Sequence, residues 1–399
     1  MSHSTLRLLQ LGFALVSLGG LSAAQDLGVP LGWREFSNKY TQAQLVTNAQ
    51  NGISEMMGQL TSSNAQFNGI GYWQAANVWS NLANEDHWAG TSLYQSDVTT
   101  NLNTAFSLYA DYDQYGYNDD AMWWATAAYY GYRAYGDTGL LANAVATWNH
   151  VTQYVITAAD ASTGSISTKD FAIAGTCNGK TMAGGVFWRP TDDDTNINSI
   201  TTGLYIALSA FLAEATGDGS YTDAAILSAN WIRNQNLNAD YLVLDTVQGN
   251  DCSTSPATEL FTYNSGKYIE GLAVLAAVTG DSQWSDLYTN IVNAAVKTTV
   301  WEGANGVITE GADTTANNDG VGFKSVLLRG IHEVYDRSSN SALTTLVHSY
   351  LDVQYNAIME LAAEGSDYSA SWTGPPQAFT SWGQLAALDV LTTAVDTNK

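Results

Sequence analysis

Basic residues are scarce in this chain of 399 residues, where 14 lysines and arginines face 38 aspartates and glutamates. The resulting formal net charge of −24 repels nucleic acids and anionic membrane surfaces, and we exclude both as partners. Proline is also rare, at five residues, and no proline-rich or serine-rich linker divides the chain. We therefore predict a single domain over residues 25–399.

Cysteine and histidine are also sparse, at two and five residues. In an oxidising compartment an isolated cysteine pair forms one disulfide, so we predict a bridge between two polar loops at Cys177 and Cys252. The five histidines are scattered without the spacing of metal ligands, and we interpret His332 as a structural histidine on a helix. We expect neither a metal site nor another cofactor.

The two ends of the chain predict export. Residues 1–7 carry one basic side chain, residues 8–21 are apolar but too short to span a membrane, and residues 22–24 are small. This is the pattern of a secretory signal peptide over residues 1–24, cleaved before Gln25. The last residues form no hydrophobic tail, so we expect a secreted, extracellular monomer without a membrane anchor.

A repeated glycine–aspartate pair predicts the fold class. At residues 136–137, 217–218 and 280–281 an apolar helical stretch ends in glycine, a common C-cap, and aspartate opens a second amphipathic stretch. Residues 333–336 form a degenerate fourth copy. Helical periodicity is also present at 41–59, 92–111 and 119–135, with a polar loop predicted at 84–90. Long polar connections follow at 160–195, 238–258, 301–322 and 364–379.

These helical hairpins predict an all-α fold, in which about six helix pairs close into an (α/α)6 barrel. The hairpin turns would lie at one end of the ring. The long connections would gather at the other end and form a concave, aromatic-lined cleft, where a ligand site is expected.

Two adjacent acids are the strongest candidates for chemistry. Asp119 and Asp120 follow Asn118, a predicted N-cap, and their carboxylates would face the free N–H groups of a first helical turn. The structural interpretation is helix capping. The chemical interpretation is catalysis. Two like charges held close push their pKa values apart, which leaves a protonated acid beside an ionised nucleophile, the pair that glycoside cleavage needs. Successive helical side chains diverge by about 100°, so both can reach one substrate only at a helix entrance.

Five segments, in order, resemble the motifs of glycoside hydrolase family 76, the endo-α-1,6-mannanases. They are residues 117–124 (Tyr-Asn-Asp-Asp ahead of Trp-Trp), 184–188 (Gly-Gly-Val-Phe-Trp), 196–204 (Asn-Ile-Asn to Gly-Leu), 261–266 (Phe-Thr-Tyr-Asn-Ser-Gly) and 323–329 (Phe-Lys to Leu-Leu-Arg). The likeness extends from residue 25 to about residue 395. It departs from the family at Ser265, where glutamine is frequent, and at Asp245, where an Asp-Gly pair is common.

The resemblance implies an (α/α)6 barrel that hydrolyses α-1,6-linked mannan with retention of configuration. In the family the first aspartate of the pair is the nucleophile and the second the acid/base, so these roles fall to Asp119 and Asp120. The candidate substrate-binding residues are Trp73, Asn118, Trp123, Trp188, Asn196, Asn198, Asp245, Tyr263, Asn264 and Lys324.

Each candidate has a structural alternative. The tryptophans can be ordinary packing residues, and of the adjacent pair we assign Trp124 to the core. Asn264 can be an N-cap, as can the asparagines of segment 196–198. Lys324 can pair with structural carboxylates, and Glu310 and Asp319 can line the cleft or face solvent.

Composition favours a neutral carbohydrate partner, because the 13 tryptophans and 22 tyrosines offer faces that stack on pyranose rings. The first hypothesis is a secreted endo-α-1,6-mannanase acting on mannan polysaccharide of fungal or yeast cell walls. The second is a wall transglycosidase acting on the mannose-containing glycan of GPI-anchored proteins, although such chains usually carry a C-terminal attachment signal. The third is a non-catalytic mannan-binding wall protein.

Overall fold

The computed structural model describes residues 26–312 and 319–399, so the signal peptide predicted at residues 1–24 lies outside the described residues. Thirteen α-helices occur in the described part of the chain. In chain order they are α1 Gln42–Met57, α2 Tyr72–Ala89, α3 Gln95–Leu108, α4 Asn118–Tyr135, α5 Thr138–Thr152, α6 Ala158–Thr163, α7 Ser199–Thr216, α8 Gly219–Trp231, α9 Thr262–Thr279, α10 Ser282–Ala295, α11 Phe323–Arg337, α12 Ser341–Ala357 and α13 Ser381–Thr397.

The β-strands of the described residues form four short antiparallel pairs. These are β1 Leu60–Thr61 with β2 Gln66–Phe67, β3 Thr176–Cys177 with β4 Lys180–Thr181, β5 Asn196–Asn198 with β6 Thr246–Gln248, and β7 Ala363–Glu364 with β8 Asp367–Tyr368. In the third pair, Asn196 lies opposite Gln248 and Asn198 opposite Thr246. This pair joins two of the long connections beside the first turn of α7.

Six helices form a closed inner ring, in which α2, α4, α7, α9, α11 and α13 each contact the next and α13 returns to α2. The other long helices pack outside them. Burial separates the two layers, since 15 of the 18 residues of inner α7 are buried but only four of the 13 residues of outer α8. The predicted (α/α)6 barrel is therefore confirmed, and its core fills both the ring interior and the space between the two layers.

The glycine–aspartate turns connect inner to outer helices, as the sequence predicts. Gly136, Gly217 and Gly280 end α4, α7 and α9 with φ of 69°, 71° and 65°, a left-handed conformation that glycine adopts without strain. The aspartate that follows each one accepts backbone N–H hydrogen bonds as the next N-cap. In the degenerate fourth copy the N-cap of α12 is Asn340 rather than Asp336, because α11 continues to Arg337.

The polar loop predicted at residues 84–90 is wrong, because α2 continues through residue 89. Asn84, Glu85 and Asp86 are buried within the barrel wall. The Asp86 carboxylate accepts hydrogen bonds from the N–H groups of Leu93 and Tyr94, both at 2.7 Å. These polar residues can therefore belong to a buried helix, because groups outside the helix form hydrogen bonds with some of their side chains.

The predicted disulfide between Cys177 and Cys252 is confirmed, with Cα atoms 5.5 Å apart. It ties the β3–β4 hairpin to the connection that follows β6. Among the described residues no helix is both long enough and apolar enough to cross a bilayer.

Candidate active site

A cleft of about 490 Å³ opens at the end of the ring where the inner helices begin, a volume typical of small-molecule sites. Its lining comes from the first turns of α2, α9 and α11, the first two turns of α4, and the connections beside them. It contains four aspartates, six aromatic residues, two asparagines and a threonine: Trp73, Tyr117, Asp119, Asp120, Trp123, Trp188, Asn196, Asn198, Asp245, Thr246, Tyr263, Asp319 and Phe323. Because several helix N-termini meet here, their dipoles favour negative charge in the cleft.

The two adjacent acids lie together in this cleft as the second and third residues of α4. The predicted N-cap at Asn118 is wrong, because the helix begins at Asn118 and Tyr117 is the extended residue before it. Asn118 is instead buried and fixes the entry of the helix. Its backbone N–H donates to the Trp188 carbonyl and its side-chain amide to the Phe187 carbonyl, both at 2.8 Å. In this first turn both carboxyls reach the cleft, although their Cα–Cβ directions diverge.

Asp119 and Asp120 have different surroundings. Asp119 Oδ2 accepts a hydrogen bond from the indole N–H of Trp188 at 3.0 Å, and Oδ1 accepts one from the N–H of Asp120 at 3.0 Å. Burial raises the pKa of Asp119, and these two bonds oppose the rise. Burial also raises the pKa of Asp120, and the charge of Asp119 raises it further, to well above its ordinary value. The first carboxyl therefore ionises before the second.

An aromatic wall runs along one part of the cleft, formed by Trp123, Trp73, Phe323 and Tyr263. The Trp73 ring stacks on Trp123 at 5.4 Å and on Phe323 at 6.1 Å, and Phe323 stacks on Tyr263 at 3.9 Å between centroids. The indole N–H of Trp73 donates to Asp319 Oδ1 at 3.1 Å, which anchors the wall to the connection before α11. Flat faces held in this way can stack on sugar rings.

A polar group completes the lining near the β5–β6 pair. Asp245 accepts hydrogen bonds from the side chains of Asn264 and Thr246, each at 2.9 Å, while burial raises the pKa of Asp245. Asn198 caps α7 by accepting the N–H of Thr201 at 3.1 Å. Asn196 exchanges side-chain hydrogen bonds with its neighbours and still borders the cleft.

Three predicted substrate-binding residues do not line the cleft. Asn118 holds the start of α4, and Asn264 is buried behind Asp245, with α9 beginning at Thr262 so that Asn264 is not its N-cap. Lys324 is fully buried, and its ammonium donates to the carbonyls of Glu310, Gly311 and Ala370. Burial lowers the pKa of Lys324 to about 7. We correct the assignment of Lys324 to a structural residue that joins two connections to α11.

The other predicted residues line the cleft, and Trp124 is buried in the core as expected, with its indole N–H donating to the Tyr72 carbonyl. Of the two ambiguous acids, Asp319 lines the cleft. Glu310 does not, since it accepts hydrogen bonds from the N–H and hydroxyl of Thr262.

Four lining residues are absent from the predicted set: Tyr117, Thr246, Asp319 and Phe323. Tyr117 and Phe323 stand directly before predicted site residues at the start of inner helices. An aromatic residue at the start of an inner helix, as at Trp73 and Tyr263, is the sequence feature that identifies Tyr117 and Phe323. Thr246 follows Asp245, and we find no sequence signal that separates it from other threonines.

Buried charges lie beneath the cleft, inside the ring. The Lys267 ammonium is 5.1 Å from the centroid of the Trp123 ring and pairs with Glu270, which also accepts the hydroxyl of Tyr130. All four side chains are nearly or fully buried. The cluster supports Trp123 from below with a cation against its face.

Comparison with known proteins finds a family model, described as glycosyl hydrolase family 76, that matches residues 33–398. A curated relative from Candida albicans, named mannan endo-1,6-alpha-mannosidase DFG5, is 27% identical over 216 residues, which are 50% of this chain and 45% of the relative. The chain spans half or less of the length of the curated relatives it matches.

Two solved structures share the fold. One is an inactive variant of an alpha-1,6-mannanase from Salegentibacter sp. in complex with alpha-1,6-mannotetrose, with a TM-score of 0.74 and 16% identity over 88% of this chain and 99% of the other. The second is Dfg5 from Chaetomium thermophilum in complex with glucosamine, with a TM-score of 0.70 and 17% identity over 91% of this chain and 92% of the other. At these identities the likeness shows the fold.

Proposed function

Because the chain belongs to glycosyl hydrolase family 76, we propose that it is a secreted, endo-acting, retaining glycosidase that cleaves α-1,6-mannosidic linkages in mannan. One observation carries this proposal. Two adjacent carboxyls, Asp119 and Asp120, open onto one aromatic-lined cleft, and their surroundings favour opposite protonation states. That is the pair of groups a retaining mechanism needs.

In the first step the Asp119 carboxylate attacks the anomeric carbon of the mannosyl unit. The carboxylic acid of Asp120 gives its proton to the glycosidic oxygen, and the bond between that oxygen and the anomeric carbon breaks. A mannosyl ester of Asp119 remains. Trp188 favours this step, because its N–H keeps a hydrogen bond on the ionised form of Asp119 at 3.0 Å.

In the second step the Asp120 carboxylate removes a proton from water. The water oxygen attacks the anomeric carbon, the ester bond to Asp119 breaks, and the two inversions together retain the configuration. Asp120 ends protonated and Asp119 ionised, so both return to their starting states. The same high pKa that makes Asp120 an acid in step one makes its carboxylate an effective base in step two.

The aromatic wall and the polar residues of the lining supply the features for a neutral polysaccharide. The stacked faces of Trp73, Phe323 and Tyr263 suit pyranose rings, and Asp245 and Asn196 offer oxygen acceptors for hydroxyl groups. Two named proteins support α-1,6-mannan as the substrate. The Salegentibacter protein binds an α-1,6-mannotetrose as a variant in which two adjacent aspartates are replaced by alanine, and the Candida relative is named for mannan cleavage.

The test is digestion of linear α-1,6-mannan with product lengths and anomeric configuration read together by chromatography and proton NMR. We expect internal cleavage and α-configured first products. Asp119→Asn should abolish activity on every substrate. Asp120→Asn should still form the mannosyl ester from an activated mannosyl fluoride, whose leaving group needs no proton, and so release a burst of fluoride before slow hydrolysis of the ester. Asp240→Asn, at an exposed acid outside the cleft, is the matched control. β-configured first products, or full activity on mannan in either cleft variant, would contradict the mechanism.

A second candidate keeps the mannosyl ester and changes the acceptor. If a sugar hydroxyl replaces water in step two, the enzyme is a wall transglycosidase. The structurally similar Dfg5 of Chaetomium thermophilum binds glucosamine, which favours an amino-sugar-containing glycan as one partner. Incubation with a labelled mannoside acceptor separates the two reactions, because transfer yields labelled products longer than the acceptor. Binding of mannan without turnover in the unaltered protein would instead support a non-catalytic role.

A further inference from the structure

A second group of ligating side chains lies at the opposite end of the barrel, where the inner helices finish. It consists of His332 and Asp336 in α11 and Asp396 in α13, with one ligand atom from each residue within 4.8 Å of the others. Asp336 is 13 residues from the cleft residue Phe323 along α11, which corresponds to about 20 Å. The group is therefore distinct from the catalytic pair.

The imidazole of His332 is fully buried and held in one orientation. Its ring packs on Trp88 at 4.3 Å between centroids, and its Nε2 lies 3.1 Å from Asp396 Oδ2. The other nitrogen, Nδ1, has no hydrogen-bond partner among the described residues. It faces Asp336 Oδ2 at 3.6 Å, which is too long for a hydrogen bond. A buried polar atom left without a partner is destabilising, so an occupant between the two atoms would be stabilising.

The 3.6 Å between His332 Nδ1 and Asp336 Oδ2 suits two ligands of one ion. Metal–ligand bonds of about 2.1 Å to each atom would enclose an angle of about 120°, close to that of a tetrahedral zinc site. Asp396 adds the hydrogen bond to Nε2 that fixes the tautomer of a metal-binding histidine and raises its basicity. The carboxyls of Asp336 and Asp396 also contact each other, so a second carboxylate lies within reach.

The local charge favours a cation. Asp336 and Asp396 stand in the last turns of α11 and α13, where the helix dipoles are negative. Lys399, on Asp396, is the ammonium that faces these two acids. The neighbouring Arg337 is already paired with Glu333 and Glu214. The Asp336 side chain is 32% exposed, which provides a path for the ion and room for water ligands.

We propose that His332 and Asp336, supported by Asp396, bind a divalent transition-metal ion such as Zn²⁺ and that the ion fastens the end of α11 to the end of α13. The mixed set of imidazole and carboxylate ligands favours such an ion over Ca²⁺ or Mg²⁺, which select oxygen ligands. The role is structural. The two joined helices are neighbours in the inner ring.

The test uses the full chain after treatment with a chelator. Titration with Zn²⁺ should show one ion per chain by calorimetry and raise Tm, whereas Mg²⁺ at equal concentration should do neither. Co²⁺ should give the visible absorption of a tetrahedral site. His332→Gln and Asp336→Asn should each weaken Zn²⁺ binding at least 100-fold. Asp336→Asn is the variant least disturbing to the fold, since the side chain is partly exposed.

His348→Gln is the matched control, because His348 also faces a carboxylate four residues later, Asp352 at 3.4 Å, but belongs to no such group of three among the residues that the structure describes. It should bind Zn²⁺ as the unaltered protein does. If His332 only pairs with the two acids, Zn²⁺ will leave Tm unchanged and Co²⁺ will give no tetrahedral absorption. That outcome would overturn the proposal, as would binding that survives both His332→Gln and Asp336→Asn. Mannan hydrolysis should be unaffected by Asp336→Asn, so failure here leaves the proposed function standing.

Discussion

Replacing Trp188 with phenylalanine should shift the acidic limb of the pH profile. The substitution keeps an aromatic face in the cleft but removes the N–H that donates to Asp119 Oδ2 at 3.0 Å. A hydrogen bond to a charged group contributes about 1.5–3 kcal/mol. Since one pKa unit corresponds to about 1.4 kcal/mol, losing the bond should raise the pKa of Asp119 by about one to two units. Asp119 must be ionised to attack, so activity should be lost at low pH and recovered as pH rises.

The measurement is kcat/KM on α-1,6-mannan across pH, because its acidic limb reports groups of the free enzyme. Trp73→Phe is the control. It removes a similar indole N–H from the same cleft, but one that donates to Asp319 at 3.1 Å rather than to Asp119. We expect a displaced limb only in Trp188→Phe. An unchanged limb with a uniform loss of activity would refute the argument that Trp188 tunes the nucleophile and leave it only a stacking role.

Three further predictions concern stability and substrate binding. Both carboxylate oxygens of buried Glu85 lack hydrogen-bond partners among the described residues, and burial raises the pKa of Glu85 to about 8. Because the native pKa is raised, the stability contributed by Glu85 is greatest below the unfolded pKa near 4.5 and falls as pH rises to 8. The free energy of unfolding of Glu85→Gln should therefore rise, relative to that of the unaltered protein, by up to about 4 kcal/mol between pH 5 and 8. The same difference between the two proteins in denaturation curves at both pH values would contradict this. Asn264→Ala removes a 2.9 Å bond to Asp245 and should lower kcat/KM about tenfold through KM, with Tm as the control for folding. Replacing Cys177 and Cys252 with serine opens a crosslink across 75 positions and should cost about 4 kcal/mol in chemical denaturation, a loss that reduction of the unaltered protein should reproduce.

The barrel could be predicted from sequence because its turns are encoded by adjacent residues. Gly136 followed by Asp137 specifies a left-handed helix end and the next N-cap within two positions, and the pattern recurs twice more. The aspartate pair was recognisable for the same reason. Its neighbours in the chain are also its neighbours in the cleft, where Trp123 lies one helical turn further on.

Residues whose partners are distant in sequence were harder to predict. Residues 84–90 resemble a loop because their polarity is satisfied partly by groups on other elements, such as Arg133, which donates to the side chain of Asn84. Lys324 stands in a family-like motif, yet it binds carbonyls of two separate connections. The His332 group escapes a search for ligand spacing because Asp396 is contributed by another helix, 60 positions beyond Asp336.

The closed inner ring has a consequence for how the protein is made. The last inner helix, α13, packs against α1 and α2, and Asn81 meets Asp389 at 3.3 Å across 308 positions of sequence. During translation the first five inner helices leave the ribosome before their sixth neighbour exists, so apolar surface stays uncovered until α13 emerges. We expect nascent chains that stop before residue 381 to remain bound to chaperones, and the native cleft to form only after α13 has emerged from the ribosome.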